Sequence, residues 1–247
     1  TAALWHTPAM HALPHLSLGD WLALVVFFCC WGGYAWFAER SPRGARGLTR
    51  TTQLYRLDWA YRMLARENRV ADSSLIGNLV TSVSFYANTT IYIIAGLVAA
   101  LGASDKLISV TAELPFGGVG NRELLEIKLM LVLASFVFAY FKFTWSLRQF
   151  NLLSILVGAA PQGQAGEPGI DAYARRVAGA NNFAGDDFNR GIRAYYFGLA
   201  ASGWLLSPWV LAALACVILL VLYRRDFRSE ALALLHREEA AAPRDAA

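Results

Sequence analysis

Apolar residues in this chain come in long unbroken blocks, the pattern of helices whose surroundings are themselves apolar. The first block runs from Trp21 to about Ala38, the second from Leu75 to about Leu101, and the third from near Leu124 to Phe141. A fourth, Ala194 to Tyr223, is 30 residues long. As a single helix it would measure about 45 Å, too long for one untilted crossing of a bilayer. Ser207–Pro208 interrupts it with an N-cap residue and a proline suited to the first helical turn, which turns the block into a hairpin. The pattern therefore predicts an all-α integral membrane protein with about five membrane-embedded helices. Four spans with a Pro-kinked last helix is the alternative.

Charge then orients the helices. From residue 39 to 70 there are eight arginines against three acids, which places this connection in the cytoplasm and the N-terminus outside. No Lys or Arg precedes the first block, so it lacks the basic n-region of a signal peptide. The loop 102–123 holds only Lys106 and Arg122 as basic residues and is expected to be irregular around Pro115 and Gly117–Gly118. A hairpin at Ser207–Pro208 leaves Arg190 and Arg193 on the same side as Arg224, Arg225 and Arg228, so the C-terminus is expected in the cytoplasm.

Residues 48–69 read as an amphipathic helix on the cytoplasmic side. Leu54, Leu57, Tyr61 and Leu64 recur at helical spacing with Arg56, Arg62, Arg66 and Arg69 around them. An apolar stripe edged by arginines suits anionic headgroups; the alternative is packing on the protein's own inner face. Residues 150–160 are too few to span and are expected to extend the third helix beyond the membrane, or to pack in the interfacial zone. The stretch 159–185, with Pro161, Gly163, Gly166, Pro168 and Gly169, reads as a mobile cytoplasmic loop. The expected division is an external extension over 1–17, a membrane helical domain over 18–235 and a disordered tail over 236–247.

Composition agrees. Of 247 residues 56% are hydrophobic and only 16% charged, against roughly 25% charged in soluble domains. An ordinary soluble enzyme is excluded, and no nucleic-acid partner is expected. Cys29, Cys30 and Cys216 all lie in apolar runs without metal-ligand spacing and read as small hydrophobes. His6, His11, His15 and His236 all fall outside the spans, which excludes bis-histidine haem ligation in the bilayer; Pro14 breaks the helical face that His11 and His15 would share. Nucleophile-elbow, phosphate-loop, zincin and dinucleotide motifs are absent, and no Asp or Glu falls deep within a span. No catalytic residue, metal or cofactor is assigned.

Two groups of polar residues remain. Asn88, Thr89 and Thr90 fall near the middle of the second span, where an amide needs a partner; an interhelical hydrogen bond within the bundle is the expectation. Lys142, Trp145 and Gln149 share a helical face with Arg148 beside them, and Asn189, Arg190 and Arg193 open the next membrane helix at the same depth. Were the two helices neighbours, these cations and amides would converge on a site for a phosphate or carboxylate headgroup.

Several blocks resemble the bacterial and plant membrane family called domain of unknown function 599: Arg66-Glu-Asn-Arg69, Asn88-Thr-Thr90, Phe141-Lys-Phe-Thr-Trp-Ser-Leu-Arg-Gln-Phe-Asn151, Phe188-Asn-Arg-Gly-Ile-Arg-Ala-Tyr-Tyr-Phe197 and Leu222-Tyr-Arg-Arg-Asp-Phe-Arg-Ser229. The resemblance covers about residues 21–235 and implies a multi-span protein of the bacterial inner membrane, without an activity, cofactor or catalytic residue. One departure matters: Asp186 and Asp187 stand before the Phe-Asn block, where basic residues are frequent in the family, and they set negative charge beside the cationic cluster.

The reading that follows is a non-catalytic accessory or assembly subunit of a larger membrane complex, such as an energy-transducing one, with anionic lipids and partner subunits around it. The alternative is a transporter or binding protein for an anionic small molecule or lipid at Lys142, Arg148, Gln149, Asn189, Arg190 and Arg193. A lipid-modifying enzyme ranks last.

Overall fold

The structure, a computed structural model, describes residues 16–40, 48–112 and 122–228. It is helical throughout the described residues: α1 (Leu18–Arg40), α2 (Leu48–Ala65), α3 (Val70–Gly102), α4 (Ser104–Ala112), α5 (Arg122–Gly158), α6 (Ile170–Ser202), a 3₁₀ turn (Gly203–Leu205) and α7 (Pro208–Phe227). α1, α3 and α5 are long and apolar enough to cross a membrane. The N-terminal histidines, His236, Pro115, Gly117–Gly118, residues 1–15 and the tail over 236–247 lie outside the described residues.

The antiparallel pair α5 and α6 is the spine. Small residues on α6 let the two helices approach closely, as lipid-embedded helices commonly do: the Phe143 ring lies against Gly191 and the Phe136 ring against Gly198. The Ser146 hydroxyl adds a bond to the carbonyl of Ala184 at 2.7 Å. α5 is about 55 Å long at ~1.5 Å per residue, so residues 150–158 do continue the third helix, as expected.

α1 and α7 pack side by side and run in the same direction. Trp204, just before α7, bonds Asp20 at the start of α1, while Tyr34 and Asp226 meet near the other ends at 2.6 Å. The break before α7 is where the sequence puts it: Ser207 is extended, its side chain accepts from the Val210 amide at 3.2 Å, and Pro208 opens the helix.

The loop expected over 159–185 needs correcting. Only residues 159–169 are non-helical; α6 begins at Ile170, after Gly169 with φ 86°. The stretch resembles a linker because its apolar residues are small. Alanine is nonetheless the best helix former, and Ile170, Ala174, Val177 and Ala178 form a buried face with Ala60, Met63 and Leu64 of α2. The loop expected from 102 is likewise partly helical, as α4.

That packing decides α2 as well. The amphipathic helix exists but ends at Ala65, and Ala60, Met63 and Leu64 pack inside the protein, the second of the two readings. Leu54 remains exposed.

Candidate functional site

Charged side chains gather at two levels of the bundle. At one end a capping box starts α1: the Ser17 amide donates to Asp20 Oδ2 at 3.1 Å, and the Asp20 amide donates to Ser17 Oγ at 3.2 Å. The other Asp20 oxygen accepts from Trp204 Nε1 at 2.7 Å. Lys128, buried on α5, points to the same place, its Nζ 5.9 Å from the Trp204 ring centroid. Sequence reasoning missed this cluster. Ser17-x-x-Asp20 was its readable signal, but Lys128 sits in a block that reads as uniformly apolar.

At the opposite, arginine-rich end Lys142, Arg190 and Arg193 of the expected set come together, on carboxylates of the chain itself. Lys142 Nζ is 3.0 Å from Asp187 Oδ1, and Arg190 Nη1 is 3.6 Å from the same oxygen. Arg190 also grips Glu39 with both ends of its fork, Nε to Oε1 at 2.9 Å and Nη2 to Oε2 at 3.1 Å. Arg193 Nη2 reaches Glu39 Oε1 at 2.7 Å. Three cations thus share two carboxylates, linking the end of α1 to the middle of α5 and of α6. Arg148 does not join: it lies over the Trp145 ring at 5.5 Å. Gln149 and Asn189 are half-buried and make no bond to the cations.

The arginines expected at a lipid interface are mostly used internally, a second correction. Arg56 donates to Asn182 Oδ1 at 3.1 Å, and burial holds its guanidinium below the usual arginine range despite nearby Asp186. Burial pushes the Asp186 carboxyl above its ordinary value. Arg66 Nη1 and Trp59 Nε1 both bond Asp72 Oδ1, at 2.7 and 2.8 Å, while Asp72 Oδ2 is buried without a partner among the described residues. Arg69 donates to the carbonyls of Ala160 and Pro161, tying the α2–α3 corner to the α5–α6 connection. Arg62 and Arg66 are both exposed, and of the four only Arg62 has no internal partner among the described residues.

The Asn88–Thr90 group also departs from expectation. Thr89 and Thr90 bond the carbonyls of Phe85 and Tyr86 on their own helix. Asn88 faces away from the bundle, and its amide has no hydrogen bond among the described residues. It stands near the middle of α3, on a face with the small or polar residues Gly77, Thr81, Ser84, Ala95 and Ala99, interrupted just above Asn88 by exposed Ile91 and Tyr92. Of these only Ser84 is half-buried; the others are exposed, and the most apolar stretch of α3 is just 17% buried.

Among the described residues no three His, Cys, Asp or Glu side chains lie close enough together to hold a metal ion. The three cysteines are free thiols lining one groove between α1 and α7. The carboxylates at both ends are each engaged by a cation or an indole, an arrangement suited to fixing helices against one another. In comparisons with known proteins, the family model described as "Protein of unknown function, DUF599" matches residues 22–231. No curated protein and no solved structure matches the chain.

Proposed function

The chain belongs to the DUF599 family, and from that premise we propose that it is a non-catalytic integral membrane protein that serves as an accessory subunit of a larger membrane complex, docking through the outward face of α3. The observation that carries this reading is Asn88. An amide in hydrocarbon without a hydrogen bond costs several kcal/mol, about what membrane helices avoid by pairing, and Asn88 has no partner among the described residues. Thr81 and Ser84 below it, and Ala95 two turns above, let another helix approach closely. The occupant is therefore a transmembrane helix of a partner subunit carrying an amide or hydroxyl at the same depth.

In this reading the second half of α6 and all of α7 cross the membrane beside α1, α3 and α5, giving five crossings. The arginine-rich end faces the cytoplasm by the positive-inside rule, with the N-terminus outside, in a bacterial inner membrane. The alternative, an anionic ligand bound at Lys142, Arg190 and Arg193, has less support because Glu39 and Asp187 already occupy those cations.

A photo-crosslinking side chain at Thr81 in native membranes tests the proposal, with the same group at exposed Phe141 on α5 as control. A stoichiometric adduct with one other membrane protein, formed only from Thr81 and lost in Asn88→Leu, supports it. No adduct, or one only to a second copy of this chain, overturns it.

A further inference from the structure

The α1/α7 groove is a second feature that the partner reading leaves unused. It encloses about 490 Å³ and is walled by Cys30, Gly33 and Phe37 on α1 and by Cys216, Leu220 and Tyr223 on α7. Its surface is almost wholly apolar, and of its two tyrosine hydroxyls that of Tyr34 is committed to Asp226. A glycine opens it: a Cβ on Gly33 would meet nothing within 4 Å.

Its length and ends identify what fits. Cys30 and Cys216 stand near the midpoints of α1 and α7, and Phe37 and Tyr223 near their ends. From Cys29 to Phe37 is eight residues, or about 12 Å at ~1.5 Å per residue, close to the depth of one leaflet of a ~30 Å hydrocarbon core. At the far end the rings of Phe37, Tyr223 and Phe227 pack together, so the two helix ends are adjacent. There Arg40 and Arg224 are exposed and, among the described residues, unpaired, whereas Arg190, Arg193 and Arg225 have carboxylates. A leaflet-deep apolar slot with two free guanidinium groups at its mouth has the polarity of one lipid.

We propose that this groove holds an acyl chain of an anionic phospholipid whose phosphate rests against Arg40 and Arg224. The site is separate from the α3 face and does not depend on it. It also relocates the anion expected from sequence: the cations at Lys142 and Arg193 hold the helices, while those at the α1 and α7 ends hold the lipid.

The test is native mass spectrometry of the full chain released from nanodiscs of equal phosphatidylglycerol and phosphatidylethanolamine. Wild type is expected to retain one phosphatidylglycerol per chain. At about 1 kcal/mol per basic residue near the surface, or about fivefold in affinity, Arg40→Gln with Arg224→Gln lowers retention roughly 25-fold. Gly33→Leu fills the slot and removes bound lipid of either kind; Leu220→Trp does so from the opposite wall, should Gly33→Leu fail to fold. Equal retention of the two lipids, or retention unchanged in whichever groove-filling variant folds, overturns the proposal. So does the same loss in Lys142→Gln, a change outside the groove.

Discussion

The indole of Trp204 donates a 2.7 Å hydrogen bond to Asp20, a residue 184 positions earlier in the chain. It fastens the turn before α7 to the first turn of α1, with buried Lys128 alongside. Asp20→Ala leaves that indole without its acceptor and removes a carboxylate that acts on Lys128, and should cost about 2–3 kcal/mol. Trp204→Phe, which removes only the donor, should cost less. Thermal unfolding in mild detergent orders the two.

Close approach of α5 and α6 predicts opposite effects for two glycines of one helix. A Cβ on Gly191 would sit 2.6 Å from the Phe143 ring, whereas one on Gly179 meets nothing within 4 Å. Gly191→Ala is expected to destabilise by about 1–3 kcal/mol through overpacking. Gly179→Ala should stabilise by about 0.5–1 kcal/mol through helix propensity. Paired melting curves check both signs.

Glu39 serves two arginines at once. Glu39→Gln leaves the buried Arg193 guanidinium without its counter-charge, and about 2 kcal/mol of stability should go with it. Lys142→Gln has the converse effect of leaving Asp187 with Arg190 alone, at 3.6 Å, and should also lower the melting temperature. In neither variant is bound lipid expected to change.

Asp186 gives a pH dependence. Burial, aided by neighbouring Glu39 and Asp187, raises its carboxyl above 3.8, and Arg56 and Arg190 offset this only in part. The folded chain then binds more protons than the unfolded one between the ordinary and the raised value, so this group's contribution falls as pH rises through that window. Asp186→Asn, which cannot ionise, should melt higher than wild type at neutral pH and lose its advantage below about pH 4. Melting temperature against pH measures the crossing directly.

Much of the helical layout was legible because it follows from local rules. Blocks poor in charge form long helices in an apolar solvent, and Ser207–Pro208 starts a helix wherever it falls. Local rules failed at Ile170–Gly185, whose small side chains look like a linker until Met63 and Leu64 of α2 cover them. They failed again at Lys128, one cation in an apolar run whose compensation comes from Asp20 on a helix about a hundred residues away.

By itself, then, the sequence determined that the chain is helical, apolar and of this family, and that cations collect toward one end of its helices, because side-chain polarity and backbone propensity are properties of the chain read in order. Which cation meets which carboxylate was decided only by how the helices are rotated and placed. That rotation spends Lys142, Arg190 and Arg193 on Asp187 and Glu39, leaves Arg40 and Arg224 unpaired among the described residues, and turns Asn88 away from every other described helix.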